Sequence, residues 1–295
     1  MSSGLVPYNF TFTDQSPIIR FYPYRDGPVD TQWNVSYSGS SFDDWSFDNN
    51  FGVGTSSHTT TFSGAYLIFE WTGTAVWLYG EAEPGTYSVS LDEALMFPNE
   101  STFNNVLFNQ TDLQYGKHNL VFTIWENEAT IYGATVTTGM GESGTVVQTK
   151  NISAVIDSSE QNPFFITDGD DWSTTVLYLN QSAADHYACI TTSVLYAGLT
   201  FYVNESIAFE MYGSGDWTQG LYTVQVSPEL PETDAQAYLP GPSIQYSPRS
   251  HWSDLDVPKF LATGLDRNHT YRVDVTNLGA NFNLGSVVLY DAVPR

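Results

Sequence analysis

"LIFEWTGTAVWLYG", residues Leu67 to Gly80, decides the fold, because apolar and polar side chains alternate on both sides of a Thr-Gly-Thr turn. Alternation with a period of two is typical of a strand that buries one face. The same alternation returns in "TYSVSL", "NLVFTIW", "YRVDV" and "SVVLY", with Gly, Pro, Asn and Asp between the runs. The pattern predicts antiparallel strands joined by turns, and therefore an all-β sandwich or jelly roll.

A degenerate copy of the opening stretch, "IAFEMYGSG", begins at Ile207, 140 residues after Leu67. In this alignment Glu70 falls on Glu210, and three later pairs follow in the same order: "GTYSVSL" with "GLYTVQV", "HNLVFTI" with "HTYRVDV", and "ATIYGATV" with "SVVLYDAV". A repeat of this length matches one sandwich of ordinary size rather than a solenoid unit. We expect two tandem antiparallel β-sandwich domains, at residues 8–140 and 152–295, with a Gly- and Thr-rich linker at 141–151.

Composition and charge exclude several classes of partner. The chain has 295 residues, of which 41% are hydrophobic and 15% aromatic, so it can bury a large core and is not disordered. Thirty-three acidic residues against nine basic ones give a net charge of −24. A field of this sign repels nucleic acid and anionic membrane surfaces. The single cysteine, Cys189, excludes an internal disulfide and a thiolate metal cluster, and its β-rich surroundings predict a buried, inert thiol.

Sequons favour a secreted or cell-surface glycoprotein. Residues 1–7 are similar to the linker of an expression tag, so we leave them out of the functional argument. No run approaches the roughly 18 apolar residues of a spanning helix, and no signal-peptide pattern opens the chain. Either the chain is a mature ectodomain without its signal, or the expectation of secretion is wrong. The eight Asn-x-Ser/Thr sites are Asn9, Asn34, Asn99, Asn109, Asn151, Asn180, Asn204 and Asn268.

Aromatic residues in polar loops carry the strongest binding signal. A sugar ring stacks its C–H face on a flat side chain, while neighbouring carboxylates accept hydrogen bonds from its hydroxyls. The segment from Ser40 to Gly52 combines three aspartates with four aromatics. Trp33 lies in a similar polar setting, whereas Trp71, Trp77 and Trp125 lie inside strands and are expected in the core. The predicted glycan-binding residues are Asp43, Asp44, Trp45, Asp48, Asp171, Trp172, Trp217 and Trp252.

Known catalytic signatures are absent, and a glycosidase remains an open alternative because the chain is rich in carboxylates. No GxSxG, P-loop, GxGxxG or HExxH motif occurs, and the five histidines are scattered. Glycoside hydrolysis needs only two carboxyl groups at a suitable separation. Glu70 and Glu210 are the most interesting pair, because the repeat places them at one position. The other candidates are Asp43, Asp44, Glu81, Glu83, Asp170 and Asp171.

The segment "FSGAYLIFEWTGTAVWLYGEAEPGTYSVSLD", followed by "LQYGKHNLVFTIWEN", resembles a jelly-roll domain that occurs, often in tandem, in secreted or membrane-anchored proteins of basidiomycete fungi. Those domains are similar to the galactose-binding-like folds of carbohydrate-binding modules, and most have no assigned function. The second copy departs from this pattern with "GSGDWTQG". The resemblance implies a possible structural calcium, for which Asp168, Asp170 and Asp171 of "TDGDDW" would be the ligands, although the motif also fits an ordinary Asp-Gly turn.

Three functions remain open at this point. The first is a non-catalytic glycoprotein that binds glycans through loop aromatics and carboxylates. The second is a glycoside hydrolase or related carbohydrate-active enzyme. The third is a structural wall or surface protein that uses its sandwiches as spacers. Exposed aromatics along a groove favour the first, converging carboxylates the second, and loop tryptophans packed inward the third.

Overall fold

A computed structural model describes residues 4–40, 44–47, 50–98, 105–157, 159–178, 186–228 and 244–295. Within these residues the regular structure consists of strands, and the N-terminal half, residues 5–142, contributes the first eleven. They are β1 (Leu5–Thr13), β2 (Arg20–Tyr22), β3 (Asn34–Tyr37), β4 (Ser56–Thr60), β5 (Tyr66–Gly73), β6 (Ala75–Ala82), β7 (Tyr87–Leu91), β8 (Ala94–Met96), β9 (Val106–Gln110), β10 (Gly116–Ile124) and β11 (Ala129–Glu142).

The C-terminal half, residues 145–294, contributes fourteen further strands. They are β12 (Thr145–Ser153), β13 (Val155–Ile156), β14 (Glu160–Gln161), β15 (Ile166–Thr167), β16 (Ser173–Tyr178), β17 (His186–Thr192), β18 (Gly198–Val203), β19 (Ala208–Gly215), β20 (Tyr222–Ser227), β21 (Gln245–Tyr246), β22 (Asp254–Thr263), β23 (Tyr271–Asn277), β24 (Phe282–Leu284) and β25 (Ser286–Pro294). The prediction of an all-β sandwich fold is confirmed.

Two sheets face each other in the N-terminal half. Sheet 1 has the order β3-β4-β11-β6-β9, with β1 also paired to β11, and sheet 2 has the order β2-β5-β10-β7-β8. The alternation read in β5 buries Leu67, Phe69 and Trp71 against the opposite sheet. Phe69 meets Phe12 of β1 edge-to-face, with 5.9 Å between ring centroids. The core of this half therefore lies between the two sheets, as in other β-sandwiches.

The C-terminal half repeats this arrangement. Sheet 3 has the order β12-β25-β19-β22 and sheet 4 the order β15-β18-β23-β20-β21, with a smaller sheet β16-β17-β24 beside them. Phe201 of β18 and Phe209 of β19 join the facing sheets, with 5.8 Å between their ring centroids. A second hydrophobic cluster of buried residues fills the space between them.

Strand order corrects the alignment of the repeat. In sheet 2 the path is β5-β10-β7, and in sheet 4 it is β18-β23-β20. β11 pairs with β6 and β1, and β25 pairs with β19 and β12. The pairs β7/β20, β10/β23 and β11/β25 thus occupy equivalent places, as the sequence predicts. "IAFEMYGSG" in β19, however, corresponds to β6 and not to β5, so the expected equivalence of Glu70 and Glu210 is wrong.

Two segments that were expected to lie outside the domains, the linker at 141–151 and residues 1–7, contribute residues to strands. β12 begins at Thr145 and pairs with β25 over nine residues, so most of the expected linker at 141–151 belongs to sheet 3. β1 begins at Leu5, and its first residues pair with β11 as far as Glu142. Leu5 to Pro7 therefore belong to the fold.

Contacts between the halves are buried and partly polar. Tyr290 and Ala208 belong to the N-terminal hydrophobic cluster, and the Tyr290 ring lies 5.0 Å from that of Phe10. The buried Arg25 guanidinium donates to the carbonyl oxygens of Gln15, at 3.0 Å, and of Ser247. A two-domain division at the boundaries given above stays a proposal, and it has to accommodate this shared interior.

Cys189 is buried, and burial raises the pKa of its thiol to about 11, in keeping with the prediction of an inert group. Five of the six described sequon asparagines are exposed and Asn34 is half-buried, while Asn99 and Asn180 lie outside the described residues. The part of the chain that the structure describes contains no helix long and apolar enough to cross a membrane.

Candidate functional site

Four aromatic side chains from distant parts of the sequence meet at the contact between the halves. We call Trp45, Phe47, Trp217 and His251 the aromatic cluster. Centroid distances are 5.2 Å from Trp45 to Phe47, 5.4 Å from Phe47 to Trp217 and 4.7 Å from Trp45 to His251. Phe47 is 71% exposed and Trp217 39%, whereas Trp45 and His251 are half-buried. The cluster therefore presents aromatic surface to solvent from both halves.

The loop between β3 and β4 supplies Trp45 and Phe47. Its later part is fixed to the C-terminal half, because the Ser253 N–H donates to the carbonyl oxygen of Asn50 at 2.7 Å. Trp252, only 1% exposed, lies beneath and packs edge-to-face against Tyr37 at 6.0 Å. Buried aromatic packing under an exposed loop holds the rings above it in place.

A turn after β19 supplies Trp217. Asp216 Oδ1 accepts the Thr218 N–H at 2.8 Å, which is an Asx-turn, and Asp216 Oδ2 accepts from Gln219 Nε2 at 3.2 Å. Gln219 Oε1 in turn accepts from Lys259 Nζ at 3.2 Å. A chain of hydrogen bonds thus runs from a fully buried lysine to the turn that displays Trp217.

The cluster is aromatic with acidic neighbours. Asp44 is exposed directly before Trp45, and Asp216 is half-buried directly before Trp217. Burial lowers the pKa of His251, so its imidazole is neutral near pH 7. Trp45 Nε1 is buried and has no hydrogen-bond partner among the described residues. Flat neutral rings beside carboxylate acceptors are chemically suited to a sugar ring, whose C–H face and rim hydroxyls need these two kinds of contact.

The structure divides the predicted tryptophans differently from the sequence. Trp45 and Trp217 meet in the cluster, but Trp33, Trp172 and Trp252 are core residues, so none of these three presents a face to a ligand. Trp172 packs against Phe282 at 6.0 Å. Trp125, expected in the core, is 48% exposed and donates from Nε1 to Ser88 Oγ at 3.0 Å. A large ring near a turn is buried when it packs over the end of a sheet. Whether it does so depends on tertiary packing and not on its neighbours in the sequence.

The remaining predicted site residues lie apart. Asp43 and Asp48 fall outside the described residues. Asp168, Asp170 and Asp171 are exposed on the turn before β16, and Asp168 Oδ2 accepts the Gly198 N–H at 3.0 Å. Across the described ranges no group of three or more His, Cys, Asp or Glu could hold a metal ion, and these three aspartates form none. Calcium binding at this turn stays a prediction without geometric support.

Three of the carboxylates that the sequence offers as candidates for hydrolysis, Glu70, Glu81 and Glu210, each interact with nearby side chains. Glu70 lies 3.4 Å from Arg20 and 3.5 Å from Lys117, and Glu81 accepts from Tyr132 at 2.8 Å. Glu210 is buried, which raises its pKa, and it accepts from the hydroxyls of Tyr212 and Tyr290. These side chains lie on different strands, and each has its own partners.

One carboxyl group outside the predicted set has a markedly raised pKa. Burial and the nearby charge of Asp14 raise the pKa of Asp254 to about 6. Asp14 is itself completely buried and bonded to His58, Ser56 and Gln15. Asp14 is thus fully paired in the interior, whereas Asp254 is half-buried.

Two members of the cluster, Phe47 and His251, are not among the binding residues predicted from the sequence. Phe47 is the most exposed of the large hydrophobic side chains in the described chain, and it lies two residues after Trp45. His251 was treated only as one of five scattered histidines. Both residues could have been identified from the local sequence, because Phe47 lies two residues after Trp45 and His251 directly precedes Trp252.

Comparisons with known proteins leave the family open. No protein-family model matches the chain, and no curated protein matches it. Among solved structures it is similar to the ANX1 ectodomain from Arabidopsis thaliana, with 9% identity over 89% of both chains and a TM-score of 0.28.

Two carbohydrate-related structures show likeness of the same order. An isomalto-dextranase from Arthrobacter globiformis T6 gives 12% identity over 79% of this chain and 36% of that chain, with a TM-score of 0.30. A carbohydrate-binding module of the β-sandwich superfamily gives 11% identity over 99% of both chains, with a TM-score of 0.23. Structural similarity this low does not support an inference about function. The functional argument therefore depends on the chain's own side chains.

Proposed function

We propose that the protein is a non-catalytic glycan-binding β-sandwich whose binding surface is the aromatic cluster. One observation carries the proposal: two loops distant in sequence bring Trp45, Phe47 and Trp217 into edge-to-face contact, with Phe47 and Trp217 exposed to solvent. Exposed aromatics are costly to keep in water and mark interaction surfaces. The neighbouring Asp44 and Asp216 supply acceptors for sugar hydroxyls.

The net charge of the chain favours a neutral glycan as the ligand. A net charge of −24 repels sulfated or uronic polysaccharides, and the residues named here add no compensating cation. Neutral sugars with several hydroxyls on one rim fit aromatic stacking combined with carboxylate acceptors. Affinity from a few exposed rings is modest, so we expect dissociation constants in the micromolar to millimolar range.

Retention of the full chain on a series of insoluble neutral polysaccharides tests this function, with soluble oligosaccharides as competitors. The Trp217→Ala and Phe47→Ala variants should each lose about tenfold or more in retention, because each removes one stacking face. Trp125→Ala is the matched control, since it removes an exposed tryptophan outside the cluster and should bind like the wild type.

The same incubation, followed for release of reducing sugar, separates the alternatives. Retention without release supports the binding function. Release of sugar by the wild type would replace it by the glycosidase, and equal retention of all three variants would remove the cluster from the binding surface. No retention on any glycan would leave the spacer function in its place.

We further propose that the protein acts outside the cell as a glycoprotein. The support is the number of sequons and the exposure of Asn9, Asn109, Asn151, Asn204 and Asn268. Mass spectrometry after treatment with peptide N-glycosidase, on protein secreted by a eukaryotic host, reports which of these asparagines carry glycans.

A further inference from the structure

A second exposed apolar surface lies at one end of sheet 4, and only one of its loops, the one between β19 and β20, also carries a residue of the proposed glycan site. We call Val194, Leu195, Tyr196 and Leu221 the apolar tip. Tyr196 is 69% exposed and Leu195 52%, and the other two side chains are also exposed. Leu195 lies over Gly279, and the Leu278 N–H donates to the carbonyl oxygen of Leu221 at 2.8 Å, so three loops meet here.

The tip is rigidly built and not a loose loop. The buried Asn277 side chain donates to the carbonyl oxygens of Val194, at 2.9 Å, and of Ala280, at 3.0 Å. The Tyr196 N–H donates to the carbonyl oxygen of Asn277 at 2.7 Å. These bonds hold Tyr196 at a φ of 66° and Ala280 at 54°. Left-handed backbone at a bulky residue is strained, and such strain is kept where it displays a side chain for use.

Charge around the tip restricts what can cover it. The three loops, residues 192–197, 219–222 and 277–281, contain no charged residue. The neighbouring turn carries exposed Asp168, Asp170 and Asp171, and Asp168 bonds to Gly198 beside the tip. An anionic surface would be repelled by these aspartates. An acidic turn beside an apolar surface complements cationic groups that cover an apolar layer.

We infer that the apolar tip docks on a zwitterionic lipid surface, with Leu195 and Leu221 entering the headgroup region and Tyr196 at its boundary. Tyrosine favours this boundary because its ring is apolar and its hydroxyl polar. The choline ammonium groups of such a surface face the acidic turn. The sequons Asn204 and Asn268 follow β18 and precede β23, so they lie at the opposite end of sheet 4, where glycans would not obstruct docking.

Flotation of the full chain with phosphatidylcholine vesicles tests this inference. The wild type should float with the vesicles, and adding phosphatidylserine should weaken the association because the chain is acidic. Leu195→Glu and Leu221→Glu should each lower the bound fraction at least about tenfold, since each puts a charge into the apolar contact. Leu95→Glu is the matched control, because Leu95 is 59% exposed in the N-terminal half and should bind as the wild type.

Several results would contradict this inference. Wild-type protein that does not float, or tip variants that float like Leu95→Glu, would overturn it. Sedimentation velocity that shows a dimer lost in Leu195→Glu would assign the tip to a second copy instead. Leu195→Glu should keep its retention on polysaccharide, so a failure of lipid docking and a failure of glycan binding are told apart.

Discussion

Lys259 connects the interior to the glycan site at the scale of a single residue. Its ammonium is fully buried and donates to Gln219 Oε1, Asn283 O and Asn283 Oδ1 at 2.9–3.2 Å, 4.7 Å from the centroid of the Phe282 ring. Burial lowers its pKa from 10.5 to about 7. A buried lysine with three acceptors remains a donor in either protonation state, so the turn that holds Trp217 keeps its support.

Stability should therefore rise with pH above neutrality through this residue. Between the folded pKa of about 7 and the unfolded value of 10.5, the unfolded chain binds more protons, so the free energy of unfolding increases with pH. The limiting slope is about 1.4 kcal/mol per pH unit. Urea unfolding of the wild type and of Lys259→Met from about pH 7 to about pH 9 measures the difference, because the variant lacks the titrating group.

Lys150→Met is the control for that comparison, since Lys150 is exposed on β12 and should leave the pH dependence unchanged. Parallel curves for wild type and Lys259→Met would mean that the Lys259 ammonium is not desolvated in the folded state. The Lys259→Met variant should also weaken glycan retention, because Gln219 and Asn283 lose their donor and the Trp217 turn loosens.

The local sequence selects tryptophans by their polar neighbours, whereas burial decides which of these tryptophans reach the surface. Trp45 and Trp217 are candidates in the sequence because polar, turn-forming neighbours surround them, and both lie in the aromatic cluster, while their role in binding stays a prediction. Trp252 has equally polar neighbours, yet it is 1% exposed because a loop of the other half covers it. No local pattern encodes that cover, since it depends on residues some 200 positions away in the chain.

At the scale of elements, the close approach of two loops fixes the turn that carries Trp217 and Leu221. A Cβ at Gly220 would overlap the backbone carbonyl oxygen of Gly279. The Gly220 N–H donates to the carbonyl oxygen of Asn281 at 2.8 Å, so the loops cannot separate without losing a hydrogen bond. Glycine is required here by contact distance.

Gly220→Ala should consequently destabilise the protein by about 2–4 kcal/mol and displace both the aromatic cluster and the apolar tip. Thermal unfolding measures the first effect, and retention on polysaccharide together with vesicle flotation measures the second. Gly4→Ala provides the comparison, because nothing lies within 4 Å of its Cβ position. A Gly220→Ala protein with wild-type stability would show that the loops adjust freely.

Element types were predictable and their pairing only partly so. Period-two alternation identified strands such as β5, β10 and β23 without ambiguity. The alignment of "IAFEMYGSG" with β5 failed because alternating apolar residues look alike in any strand of a sandwich. β18, the true counterpart of β5, reads "GLTFYV" and shares its place in the sheet but little of its sequence. Strand order is set by hydrogen-bonded neighbours, which a single sequence does not display.

For the whole molecule, the interior shared by the two halves governs how the chain unfolds. Tyr290 packs among residues of the N-terminal cluster, Ser250 Oγ donates to Gln15 Oε1 at 2.9 Å, and Thr263 Oγ1 donates to the carbonyl oxygen of Thr72 at 3.0 Å. Separating the halves would expose apolar rings and leave buried acceptors unpaired. We therefore expect one cooperative transition for the full chain, although the strand order is repeated.

Arg25→Met tests that coupling at a buried charged residue. The variant leaves the carbonyl oxygens of Gln15 and Ser247 without their donor and should lower the free energy of unfolding by about 2–4 kcal/mol. Arg267→Met, which removes an exposed arginine paired with Asp291, should cost less than about 1 kcal/mol. Tryptophan fluorescence and calorimetry should report one midpoint for all three proteins, shifted markedly only in Arg25→Met. Two separate midpoints in the wild type would instead mean that each sandwich is stable by itself and that the contact between the halves adds orientation but no stability.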